Sequence, residues 1–135
     1  MSLGLGASCR LIKKEEDYYI FEYSPYSYDM DNWKEAKDSY DGMIYIHQDY
    51  FPNPQIITKR KKRPNGRKVW IEKQVYPEID YEMFLQNGKI KIDNSRYAWN
   101  ISDEGIDVLA LKLIFYLYEE YKKLGKVPEH FGIFS

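Results

Sequence analysis

The hydrophobic positions of this chain change period once. Up to about residue 101 they alternate in short runs separated by turn residues, and from Ser102 to Leu124 they recur at i, i+3, i+4 and i+7. The later pattern, carried by Ile106, Leu109, Ala110, Leu113, Leu117, Tyr121 and Leu124, predicts one long amphipathic helix over 102–124. Ser102 suits its N-cap, because a hydroxyl there accepts from an unpaired first-turn N–H. Asp103 and Glu104 suit the positive end of the dipole, and Lys122, Lys123 and Gly125 suit a helix end. Such a helix would run about 33 Å, enough to cross a small sheet. Gly105 sits awkwardly in its first turn.

A second row, Val108, Leu111, Phe115 and Tyr118, follows a 3-4-3 spacing on roughly the opposite side of the cylinder. A helix apolar on two sides needs two covers. The sheet supplies one; the other is a loop, the C-terminal segment Val127 to Phe134, or a second copy of the chain. These four residues are therefore the candidate self-association surface.

Before the helix the pattern is that of short antiparallel strands. Leu5 to Lys13 and Tyr18 to Ser24 flank a charged turn, and Ser24-Pro25 is expected to end the second strand. A helical turn or two is expected within Asp31 to Ser39, carrying Trp33 and Ala36. Met43 to Phe51 reads as a strand closed by Pro52 and Pro54. Gln55 to Lys62 and Lys68 to Tyr76 face each other across Asn65-Gly66, whose residues tolerate positive φ and make the strongest short hairpin signal. Tyr81 to Gln86 and Lys89 to Asp93 read as another strand pair across Asn87-Gly88, and Arg96 to Ile101 as a further strand. The prediction is a single α+β domain over 1–135: an antiparallel meander of about six to eight short strands, with one long C-terminal helix packed on one face.

Composition adds three constraints. Hydrophobic content of 44% and charged content of 30% are those of a globular protein, and no apolar run approaches the ~20 residues of a membrane helix. Cys9 is alone, so no disulfide forms within the chain. Without a basic stretch leading into an apolar one near the N-terminus, the expected location is the cytosol, with no membrane partner. Fourteen tyrosines are the unusual feature, since each has an apolar body and a polar tip and serves in cores and at interfaces alike.

Charge is sorted along the chain. Lys59, Arg60, Lys61, Lys62, Arg63, Arg67 and Lys68 put seven cations in ten positions; with these set aside, 13 basic residues remain against 21 acidic ones, a formal charge of −8. Clustered cations raise the local potential and release counterions from nucleic acid, and Trp70 nearby offers a stacking surface. The same cations could instead be a solvated tip that discourages edge-to-edge aggregation. Between Glu15 and Tyr50, by contrast, ten acidic residues are interleaved with eight tyrosines and offset by Lys34 and Lys37. Acid plus tyrosine suits a basic protein partner, because charge brings the partner in and aromatics supply buried contact.

For catalysis the inventory is thin. His47 falls in a predicted strand and His130 near the end, without the partners of a general base. No cysteine pair or histidine cluster suits zinc, Asp29-Met30-Asp31 lacks the rest of a calcium loop, and Gly4-Leu5-Gly6 lacks the third glycine of a dinucleotide motif. Asp80 and Glu82 are expected on one strand face, and Cys9 as packing. No cofactor or metal is expected.

The leading expectation is a non-enzymatic protein-binding module of immunity or inhibitor type, engaging a basic partner through Tyr26, Tyr28, Asp29, Asp31 and Trp33. The alternative is nucleic-acid or anionic-ligand binding through the hairpin 59–68.

Overall fold

The computed structural model describes residues 5–134; residues 1–4 and 135 lie outside it, and with them Gly4 and the reading of the N-terminus. β1 (Leu5–Glu15) and β2 (Tyr18–Ser27) form the first hairpin, with Ile12 as the extra residue where the register shifts between Leu11 and Lys13. β2 runs past Ser24-Pro25, contrary to the expected stop. β3 (Gly42–His47) pairs with β2 only from Tyr18 to Tyr23, so Pro25, opposite Ala7, has no second strand asking for its missing N–H. β6 (Ile90–Asp93) pairs with β3, and β7 (His130–Phe134) returns beside β1, giving a five-stranded antiparallel sheet in the order β6-β3-β2-β1-β7.

One face of this sheet is covered by α3 (Val108–Leu124), at 17 residues about 25 Å long. Leu109, Ala110, Leu113, Ile114 and Leu117 bury themselves against Ala7, Cys9, Phe21, Tyr23, Ile44 and Ile46. Removing Leu113 or Leu117 from water is worth about 2 kcal/mol apiece. The other face receives α1 (Trp33–Ser39), where the Ser24 hydroxyl donates to the Lys37 carbonyl at 2.7 Å.

The helix starts six residues later than Ser102. Gly105, at φ +80°, closes a tight turn in which the Ser102 N–H donates to the Ile106 carbonyl and the Gly105 N–H to the Ser102 carbonyl. Asp107 is the N-cap, accepting from the Leu109 N–H at 3.0 Å.

Three further segments differ from the expected strands. Residues Tyr81–Gln86 form α2, not a strand, because the Asp80 carboxylate accepts from the Glu82 and Met83 N–H groups and starts a helix; Asp80 and Glu82 therefore share no strand face. Arg96 to Ile101 is irregular, with only an isolated bridge between Ile101 and Asp107. The strand at Met43 stops at His47, where the 3-10 turn Gln48–Tyr50 swings Tyr50 into the core.

Four tyrosines tie these layers together through their hydroxyls, which accounts for part of the unusual tyrosine content. Tyr50 donates to the Ile114 carbonyl at 2.8 Å, and Tyr23 to the Asp107 carboxylate at 2.8 Å, while Tyr118 and Tyr121 donate to the Pro77 and Pro52 carbonyls. Burial, the Asp107 charge and a hydrogen bond to it all keep the Tyr23 hydroxyl protonated well above the usual tyrosine range. Burial also raises Asp107, against the hydrogen bonds that favour its charged form. Gly42 lies directly opposite Tyr23, and a Cβ there would come within 2.2 Å of the ring. Gly6 stands in the same relation to Tyr26.

Candidate functional site

The predicted hairpin is present as β4 (Gln55–Lys62) and β5 (Lys68–Val75), but it stands apart from the main sheet as a two-stranded ribbon about 26 Å long. Its tip is closed by the Arg63 N–H donating to the Arg67 carbonyl at 2.7 Å and by the Asn65 side chain accepting from the Arg67 N–H at 3.0 Å, with Gly66 at φ +81°. Along both strands nearly every side chain is exposed.

Register places the cations on both faces, because residues directly opposite each other share a face. Arg60 opposite Trp70 and Lys62 opposite Lys68 lie on one face, with Ile56 and Thr58 nearer the root. Lys59 opposite Ile71 and Lys61 opposite Val69 lie on the other, with Ile57 opposite Lys73. Lys73 is a cation that the run 59–68 did not include. Trp70 is 70% exposed, and the Arg60 guanidinium lies 5.9 Å from its ring centroid. Among the described residues, none of Lys59, Arg60, Lys61, Lys62, Arg63, Arg67 and Lys68 has a carboxylate within ion-pair distance. All seven stand on the ribbon or its tip.

The root of the ribbon is seated on α3. Tyr121 donates to the Pro52 carbonyl at 2.7 Å just before β4, and Tyr118 to the Pro77 carbonyl just after β5. Tyr76 packs edge-on against Tyr121 with centroids 5.5 Å apart. Burial, first, and the neighbouring Tyr121 and Glu119 push the Tyr118 hydroxyl up to about 12, so it stays a donor at neutral pH. No sequence pattern announced this seat, since it joins residues 41 and 69 positions apart.

The residues of the second helix row do not share one environment. Tyr118 is 5% exposed and belongs to the core, because the 76–79 segment covers it. Val108 and Leu111 are half-buried, and Leu111 lines a cleft of about 420 Å³ with Ile106, Tyr81 and Leu85. Phe115 is 46% exposed and meets Tyr81 edge-on.

The acidic, tyrosine-bearing surface is likewise divided. Tyr26 is 6% exposed, its ring lying over Gly6, and is unavailable as a contact. Tyr28 is exposed beside Asp29 and Asp31; its ring meets Trp33 edge-on at 4.6 Å and Phe134 at 5.9 Å. The His47 Nδ1 accepts from the Asp49 N–H and caps the 3-10 turn. His130 is exposed on β7. Cys9 is buried, and desolvation pushes its thiol up to about 12.

Comparisons of the chain with models of protein families, with curated proteins and with solved structures find no significant match.

Proposed function

We infer that the chain is a cytosolic nucleic-acid-binding protein that grips duplex phosphates with the β4–β5 ribbon. The observation that carries this reading is the ribbon itself: seven cations, none ion-paired to a carboxylate among the described residues, on a projection standing apart from the main sheet. A lone two-stranded ribbon is marginally stable in water, and like charges directly opposite, as at Lys62 and Lys68, weaken it further. A polyanion relieves that repulsion. Cations on both faces suit a groove, where phosphates flank the ribbon on both sides, and the major groove, about 12 Å wide, admits a two-stranded ribbon. Trp70, with Arg60 beside it, adds an apolar contact on one face.

The test is electrophoretic retardation of a short duplex at low salt. The reading expects Lys61→Glu with Arg63→Glu to weaken binding by at least about tenfold, at equal folded content, because each reversal replaces an attraction by a repulsion. A wild-type chain that leaves the duplex unretarded contradicts it.

The Tyr28–Trp33–Phe134 cluster, rimmed by Asp29 and Asp31, favours a second reading, a basic protein partner on that surface. It expects Tyr28→Ala with Asp31→Lys to abolish retention of such a partner and to leave duplex affinity undiminished.

A further inference from the structure

β7 is an outer strand of the five-stranded sheet, and among the described residues its outer edge is unpaired. Sheets usually guard such an edge with lysine, proline, a bulge or a covering segment. His130-Phe131-Gly132-Ile133-Phe134 has no lysine or proline and pairs with β1 in unbroken register. Alongside it runs a groove of about 320 Å³ whose walls include Phe131 and Ile133 of β7 and Lys112, Tyr116 and Glu120 of α3. The last three are four residues apart and form one stripe on the helix. Tyr116 is about half exposed, and neither Lys112 nor Glu120 has an ion-pair partner among the described residues.

We propose that this edge is a homodimer interface, in which β7 pairs antiparallel with β7 of a second copy across a two-fold axis and the two α3 helices lie side by side. Charge commits the surface to a second copy rather than to some other strand. Lys112 and Glu120 each lie four residues from Tyr116, so two antiparallel α3 helices with Tyr116 on the axis bring Lys112 of either copy to Glu120 of the other. α3 packs on β1 and β7 and, less closely, on β2. A two-fold axis half a strand spacing beyond β7 therefore sets the helices two to three strand spacings apart, about 10–14 Å, a gap that the long Lys112, Tyr116 and Glu120 side chains span. The interface uses no residue of the basic ribbon and stands or falls independently of nucleic-acid binding.

Sedimentation equilibrium of the full chain tests it. The wild type is expected to move from 16.2 kDa toward twice that mass as concentration rises through the micromolar range. Lys112→Glu sets like charges face to face and is expected to raise the dimer dissociation constant about tenfold or more, and Lys112→Glu with Glu120→Lys to restore it, all with unchanged circular dichroism. A chain that stays at 16.2 kDa throughout overturns the proposal. So does a dimer indifferent to Lys112→Glu, as one formed through Val108, Leu111 and Phe115 would be, or a loss that the double exchange fails to rescue.

Discussion

Tyr118 and Tyr121, one turn apart on α3 with ring centroids 6.1 Å apart, hold opposite roots of the basic ribbon, Tyr118 at Pro77 and Tyr121 at Pro52. The helix that forms the core thus also fixes where the cations project. Replacing either tyrosine with phenylalanine keeps the ring packing and removes the hydroxyl's hydrogen bond, which Tyr121 shares between the Phe51 and Pro52 carbonyls, at a cost of about 1 kcal/mol each in chemical denaturation. The double variant is expected to expose residues 52–54 and 76–79 to limited proteolysis and to weaken duplex binding with no change in charge. Unchanged proteolysis would show that the seat lies elsewhere.

Gly42 and Asp107 are expected to be the most sensitive positions outside the aliphatic core. Gly42→Ala drives a methyl into the Tyr23 ring and should cost about 2 kcal/mol or more. Asp107→Ala removes the cap of α3 and leaves the buried Tyr23 hydroxyl without its acceptor, for about 2–3 kcal/mol together. Combined with Tyr23→Phe it should cost less than the sum, because both changes remove the same bond.

Stability should fall in alkali as the pH climbs past the ordinary tyrosine value. Tyr23, Tyr50, Tyr118 and Tyr121 all hold their hydroxyls above the ordinary value because they are buried. A group raised on folding stabilises the fold fully below its unfolded value, 10.0, and loses that contribution as pH climbs through the folded one, about 12 for Tyr118. The part of the phenolate absorbance that belongs to these buried tyrosines should therefore appear together with the loss of circular dichroism, above pH 10.0. Phenolate formation by these four tyrosines with the fold intact would contradict the burial.

Cys9 faces α3 from β1 and should be inert to thiol reagents in the native protein. Its labelling rate should follow global unfolding, rising with denaturant as the unfolded fraction does. Rapid native labelling would mean that the β1–α3 contact opens locally.

The parts of the fold legible in the sequence were those with long, unambiguous signals. Asn65-Gly66 between two charged β runs defined the ribbon to within a residue, and Leu109 to Tyr121 defined the helix. The start of that helix was obscured because Ser102, Asp103 and Glu104 have the composition of a cap, whereas Gly105 spends its positive φ on a turn and Asp107 takes the role. Six residues, Tyr81–Gln86, are too few to separate a period of 3.6 from one of 2, and a capping bond from Asp80 decided between them. Tyr26 and Tyr118 show why tyrosine misleads. Each reads as surface by pattern, and each is buried by a partner distant in sequence, Gly6 for one and the Pro77 loop for the other. The cations could be counted in advance, and strand alternation already divides 59–62 between two faces; that the ribbon stands apart from the main sheet could not be read, because it depends on contacts distant in sequence.

The salt dependence of duplex affinity, followed by fluorescence anisotropy, bears most directly on the ribbon as a phosphate grip. With about five to seven phosphates neutralised, the logarithm of affinity should fall against the logarithm of salt with a slope near −5 or steeper, and Arg63→Ala should make the slope shallower by about 1. A wild-type slope near zero, or one that Arg63→Ala and Lys61→Ala leave unchanged, would contradict it.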